Sequence, residues 1–320
     1  MTPHDDTSEI YPGLHCERFI DYRRAEPLQR QIRDFGDGIN IPPKRFMYVC
    51  GPTGVGKTQL LAWSFDPDDF KVRVTATRRL VPIVYSRVPD RGTMHGFCSK
   101  LLKQLGGASN PRETIDALVD RIQFYLETHK TKLLIIDEAQ HFERSGEYPV
   151  ADVLKGMVEE FPCRILLAGV YDLVGLVSRN PQLAGRLIRS IMVKPFDWFN
   201  PADQDDYRGF LHTIQCGAPE TYADVDISAM GLAGCIHLAS RGLLRATTNL
   251  LALAKIEAHE AGRRAITTDD LSVAFYELNK TLKPMPDDPF QMRSLPATWE
   301  PAPITEGIDM GKRPSRPRRR

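Results

Sequence analysis

The chain has 320 residues, 42% hydrophobic and 26% charged, with 42 Lys+Arg against 41 Asp+Glu and a formal net charge of +1. That length buries a sizeable core and fits one large domain with a smaller one, while the near-zero balance excludes a protein that coats nucleic acid by bulk charge. No apolar run approaches the ~20 residues of a membrane helix; the acidic, polar start "MTPHDDTSEIYP" does not read as a secretory signal, and six scattered cysteines (Cys16, Cys50, Cys98, Cys163, Cys216, Cys235) with no C-x-x-C pair predict reduced thiols, a cytoplasmic location and no zinc site.

Residues 1–44 read as a polar N-terminal extension with a helical piece near "AEPLQRQIRDFG". The first strong pattern is "FMYVCGPTGVGKTQLL", Phe46 to Leu61: a strand, a glycine-rich turn and an apolar helical pattern. From Gly51 to Thr58 the turn has the two fixed glycines and the Lys-Thr pair of a phosphate cradle. Gly51, Gly54 and Gly56 let backbone N–H groups turn inward, and the following helix adds its positive end. Lys57 is placed to reach the β/γ-phosphates of a nucleotide, and the Thr58 hydroxyl to hold Mg²⁺. Gly51, Pro52, Thr53, Gly54, Val55, Gly56, Lys57, Thr58 and Gln59 therefore form the predicted ATP-binding set.

Strands and helices then alternate, the signature of a parallel sheet covered by helices. The predicted strands are Phe46–Cys50, Leu80–Val88, Lys132–Ile136, Arg164–Gly169 and Ile191–Pro195, with helices over Thr93–Leu105, Pro111–His129 and Val150–Glu160. In "KLLIIDEAQ" an apolar strand delivers Asp137 and Glu138 to its C-terminal edge. Asp137 suits the Mg²⁺ shell, and Glu138 suits general-base activation of water. His141, close to that acidic pair, reads as a surface or packing residue. "NPQLAGRLIRSIMVKPF" places Arg186 and Arg189 just before the last predicted strand, where an arginine can enter a neighbouring subunit's site.

After about residue 200 the pattern is purely helical: "PADQDDYRGFLHTIQ", "DISAMGLAGCIHLASRG", "LLRATTNLLALAKIEAHEAG" and "TTDDLSVAFYELNK" each carry apolar residues at three- and four-residue spacing. Thr268-Asp269 begins the last of them as a cap. Gly242-x-x-Arg245 puts an arginine at the start of a lid helix, in reach of nucleotide phosphates. From Pro284 on, eight prolines and the ending "GKRPSRPRRR" predict a flexible, Pro-rich, basic tail. The resulting division is 1–44 extension, 45–200 α/β nucleotide domain, 201–283 helical lid and 284–320 tail.

From about Cys16 to Lys280 the sequence resembles the AAA+ ATPases, and within them the TniB/TnsC family of transposition regulators. The marks are "VCGPTGVGKT", "PIVYSRVPDRGTMHGFCSKLLKQLG", "KLLIIDEAQHF", "ILLAGVYDL", "PQLAGRLIRSIMVKPF", "SRGLLRATTNLL" and "ITTDDLSVAF", in that order. The tail's "DDPF" followed by prolines is similar to members from CRISPR-associated and related transposons. One departure stands out. AAA+ proteins usually carry a polar sensor, often Asn or Thr, where this chain reads Ala168-Gly169-Val170; TniB/TnsC members often have glycine there too.

The resemblance implies an ATPase that assembles with ATP as a ring or filament on double-stranded DNA without reading its sequence. It also implies links to a target-selection protein and to transposase subunits, with hydrolysis dismantling or repositioning the assembly. The implied DNA-facing segment is Arg87–Lys103, with Arg87, Arg91, Thr93, His95 and Lys103 as contacts to the phosphate backbone. The rivals are an initiator- or loader-like ATPase, a secretion-associated ATPase and a slowly hydrolysing, nucleotide-gated scaffold. A DEAD/DEAH helicase fails on spacing, because two motor domains need another ~100–150 residues between the acidic box and the arginine motif.

Overall fold

The computed structural model describes residues 23–39, 41–42, 44–74, 79–90, 93–145, 150–279 and 287–300. Helix α1 (Ala25–Asp37) leads into strand β1 (Phe46–Cys50), the glycine-rich loop and helix α2 (Lys57–Ala62). A short hairpin follows, β2 (Arg73–Val74) with β3 (Arg79–Leu80), and then β4 (Ile83–Arg87), α3 (Met94–Gln104), α4 (Ile115–Thr128) and β5 (Leu133–Asp137). After a 3₁₀ stretch, Ala139–Ser145, come α5 (Val150–Glu160), β6 (Arg164–Gly169), α6 (Asp172–Ser178), α7 (Pro181–Ala184) and β7 (Leu187–Met192).

The five long strands form one parallel sheet in the order β4-β5-β6-β1-β7. Period-2 alternation divides the core between its two faces. Met47, Val49, Ile135, Leu166 and Ala168 pack with Ile32 and Phe35 of α1 and Leu60 and Leu61 of α2. Phe46, Tyr48, Leu134, Ile136, Ile165 and Leu167 pack with Phe97 and Leu101 of α3, Ile122 of α4 and Met157 of α5. Both faces of the inner strands β1, β5 and β6 are covered, which is why those strands are largely apolar. Helices α3 and α4 start where Thr93 and Thr114 accept backbone N–H bonds from Gly96 and Ala117.

Two predicted strands need correcting. The second begins at Ile83 rather than Leu80, because Pro82 has no N–H to donate and Arg79–Leu80 pairs antiparallel with Arg73–Val74 instead. The last strand begins at Leu187 rather than Ile191, so Arg189 lies within it and not before it. β7 is an edge strand that leaves Ile188, Arg189 and Ser190 exposed. Its mixed sequence therefore lacks the apolar run that marks a buried strand.

The chain crosses to four further helices, α8 (Pro201–Gly217), α9 (Met230–Ser240), α10 (Leu244–Glu260) and α11 (Thr268–Asn279). The cap of α11 is Thr267, one residue earlier than expected: its N–H donates to Asp270 Oδ2 at 2.8 Å while its hydroxyl accepts from Asp270 N at 3.4 Å. This helical unit shares the α1/α2-side core through Tyr207, Phe210, Ile236, Leu250 and Phe275.

The stretch expected to be a flexible tail from residue 284 is packed over residues 287–300; residues 301–320 lie outside the described residues. Ser272 donates to Asp288, Phe290 meets the Phe275 ring edge-on, and Leu295 lies over Gly234. Trp299 Nε1 donates to His237 Nδ1 at 3.0 Å, and its ring stacks on Trp198. Four anchors separated by prolines and polar residues have no periodicity, so composition alone reads the segment as a linker.

Candidate nucleotide-binding site

The glycine-rich loop leaves the C-terminal end of β1 between its neighbours β6 and β7. Gly51 N–H donates to Gly169 O at 3.2 Å, and a Cβ on Gly51 would lie 2.2 Å from Val193 O, so only glycine fits. Gly56 takes φ +97° at the N-terminus of α2 and turns the loop into that helix. Pro52 and Val55 are buried, whereas Thr53 and Gln59 are exposed at the mouth.

Lys57 curls back into its own loop, donating to Gly51 O at 2.8 Å and Pro52 O at 3.0 Å. Burial pushes its ammonium pKa down, opposed by the charges of Glu138 and Asp137. Thr58 Oγ1 donates to Asp137 Oδ2 at 2.8 Å, so the two predicted Mg²⁺-holding groups lie together, one on the first turn of α2 and one at the end of β5. Their oxygens form the hard donor set that Mg²⁺ prefers. Tyr85, reaching from β4, donates to the same Asp137 Oδ2 at 2.7 Å, and burial beside that carboxylate raises its own pKa.

Glu138 takes φ +57°, costly for a residue with a Cβ, where the chain turns sharply off β5. Its carboxylate is held from three directions. Gln140 Nε2 donates to Oε2 at 2.5 Å, Arg87 Nη2 lies 3.5 Å from Oε1, and His141 Nε2 lies 3.9 Å from Oε2 and 3.3 Å from Asp90. The same Gln140 accepts from Val170 N–H at 3.1 Å. His141, expected at the surface or in packing, is buried against the predicted general base.

The helical unit docks directly on the loop: Arg245 N–H donates to Gly54 O at 3.0 Å, and Leu244 lies against Gly56. The Arg245 guanidinium is near enough to help lower the pKa of Lys57. The two other predicted arginines are placed differently. Arg186 is ion-paired with Glu159 of α5, and Arg189 is exposed on the edge strand.

The predicted DNA-contact set is spread over β4 and α3. Arg87 ends β4 beside Glu138, Thr93 caps α3, and His95 Nε2 donates to Glu113 O at 3.0 Å. Lys103 is exposed in the last turn of α3, and Arg91 lies outside the described residues. Sequence reasoning missed Tyr85 and Gln140 and gave His141 no part in the site. Tyr85 carries a faint signal, as the one phenol in the otherwise aliphatic start "PIVY" of a core strand. Gln140 and His141 follow Glu138 too closely in sequence for their direction to be read.

A model described as bacterial TniB protein matches residues 12–196, more than half of the chain, including the whole sheet and the acidic pair. The chain belongs to the TniB family. No curated protein matches this TniB-family chain. Among solved structures, Orc1 of Aeropyrum pernix, solved in complex with DNA, aligns with TM-score 0.61 at 16% identity, covering 86% of this chain and 69% of its own. Cdc6p of Pyrobaculum aerophilum gives 0.61 at 16%, over 85% and 71%. The ADP form of Orc2 from Aeropyrum pernix gives 0.59 at 16%, over 87% and 74%. These likenesses establish the fold: the parallel sheet and flanking helices of the TniB-family chain are those of the AAA+ ATPases.

Proposed function

We propose that this TniB-family chain is an ATP-dependent regulator of DNA transposition. In this reading it oligomerises on double-stranded target DNA with ATP, ignores base sequence, and links a target-selection protein, CRISPR-associated selectors included, to transposase subunits. The observation that carries the reading is the convergence of Lys57, Thr58, Asp137 and Glu138 at one sheet edge in a chain of this family. The 45–200 α/β domain would hold the nucleotide and the 201–283 lid would answer to it.

The chemistry follows from the side chains present. Loop N–H groups and Lys57 would take the phosphates, the ammonium leaving two carbonyls for phosphate oxygens. Thr58 and Asp137 would hold Mg²⁺, whose charge would offset that of the β- and γ-phosphate oxygens. Glu138 would take a proton from the water that attacks the γ-phosphorus. The bond to the β,γ-bridging oxygen then breaks, giving ADP and phosphate. Arg186 or Arg189 of a neighbouring copy would stabilise the transferred group, making turnover slow until copies assemble. Arg245 would report the phosphates to the lid. The Arg87–Lys103 segment would face DNA; the Orc1 protein of the same fold was solved in complex with DNA.

Electron microscopy with double-stranded DNA and a non-hydrolysable ATP analogue tests the proposal. Rings or filaments threaded by DNA are expected only with nucleotide; dispersed monomers under all conditions would remove it.

A further inference from the structure

We infer that Gln140 is a positioning residue for Glu138, tying the general base to the phosphate-binding loop through a single peptide group. The inference rests on the hydrolysis reading above. It starts from the Gly169–Val170 peptide at the end of β6. The carbonyl of that unit accepts from Gly51 N–H, the first residue of the loop, at 3.2 Å, and its N–H donates to Gln140 Oε1 at 3.1 Å. A peptide unit is planar and rigid, so the two bonds are fixed relative to each other.

The amide orientation is decided by its partners. Val170 N can only donate, so the atom facing it is the oxygen, and Nε2 must be the atom that faces Glu138. The amide then donates to a carboxylate, a charge-assisted bond stronger than a neutral one. Room for this comes from Gly169, where a Cβ would lie 2.3 Å from Gln140 Oε1. Gln140 is only 4% exposed, so water does not compete for either bond. The other carboxylate oxygen faces Arg87 at 3.5 Å. A side chain that merely filled the core would need neither a donor aimed at a carboxylate nor a glycine cleared for its oxygen.

The test compares Gln140→Ala, Gln140→Glu, Gly169→Ala and the Gln140→Ala/Gly169→Ala double variant of the full chain. Steady-state ATPase, affinity for a fluorescent ATP analogue and thermal unfolding are measured for each. A general base contributes on the order of 10²–10⁴-fold; losing its orientation alone is expected to lower kcat about tenfold or more, with nucleotide affinity and melting temperature held. Gly169→Ala, which displaces the amide, should match Gln140→Ala, and the double variant should be no worse than either.

Gln140→Glu adds a second carboxylate beside Glu138. It also turns the donor that faces Glu138 into an acceptor at nearly unchanged size, so kcat should fall as in Gln140→Ala with nucleotide affinity held. Wild-type kcat in Gln140→Ala or in Gln140→Glu, or additive losses in the double variant, would each overturn the inference. A wild-type chain that binds the analogue but never turns over ATP, assembled or not, would overturn the hydrolysis reading and this inference with it. Failure confined to the variants overturns this inference alone.

Discussion

At the scale of single residues, the nucleotide assignment turns on Lys57, a buried ammonium satisfied by two carbonyls of its own loop. Phosphate oxygens offer it a stronger partner, because a charge-assisted bond to an anion outweighs one to a neutral carbonyl. Lys57→Ala is expected to abolish ATP binding, and Glu138→Gln to retain binding while stopping hydrolysis; nucleotide titration and phosphate release measure the two effects. Unchanged affinity in Lys57→Ala would refute the cradle. The placement of both residues was legible in the sequence because the pattern there is local: glycines and lysine at fixed spacing follow one strand, and the acidic pair sits at the end of another apolar run. Tyr85, Gln140 and His141 act across strands. Which of two sheet neighbours a side chain meets depends on strand order, and β4-β5-β6-β1-β7 is not written in any short window.

At the scale of elements, β7 and α5 set what the two proposed finger arginines meet within their own chain. Arg186 stands just before β7 and is neutralised within its own chain by Glu159 of α5, which Lys155 also approaches at 3.8 Å. To act in a neighbour's site, it has to exchange that partner for phosphate, which couples its use to assembly. Mixing Arg186→Ala with Glu138→Gln subunits is therefore expected to recover part of the ATPase, because some mixed interfaces join an intact glutamate to an intact arginine. Activity that stays flat across all ratios, with mixed oligomers present, would count against an arginine acting in trans. Element type was readable for the longer elements, since helices with one apolar stripe and strands buried on both faces have distinct periods, whereas the β2–β3 hairpin and the short helices α6 and α7 are too brief to show one and were not predicted. Boundaries slipped where the pattern weakens, at Pro82 and at the exposed edge strand.

At the scale of the whole molecule, near-zero net charge means that the proposed DNA affinity would have to come from many copies each adding a few contacts. Binding should require ATP or an analogue, ignore base sequence and fall steeply with salt. Replacing Arg91 and Lys103 together with alanine should abolish it while nucleotide binding is kept, whereas deleting residues 311–320 should leave it intact; mobility shift over a salt series separates the two. The reverse outcome would move the DNA site to the basic end. Stability should carry its own pH signature. His237 donates through Nε2 to Phe196 O and accepts from Trp299 at Nδ1, a pattern only the neutral ring can make. Burial holds its pKa down to about 4, partly offset by the Phe196 bond and by Asp197 and Asp203. The unfolded chain takes up this proton near pH 6.5, so stability is full above that pH and declines as pH falls towards 4, by roughly 3 kcal/mol. His237→Gln should flatten that part of a melting-temperature profile. The same aromatic cluster also gives the molecule an optical signature. Of three tryptophans, Trp198 and Trp299 stack with centroids 6.0 Å apart and planes at 24°. Two indoles that close share their electronic transitions, so the pair should produce a coupled band in circular dichroism and a quenched emission. Both signals should vanish when the C-terminal segment lifts away from the junction, and neither needs an added dye.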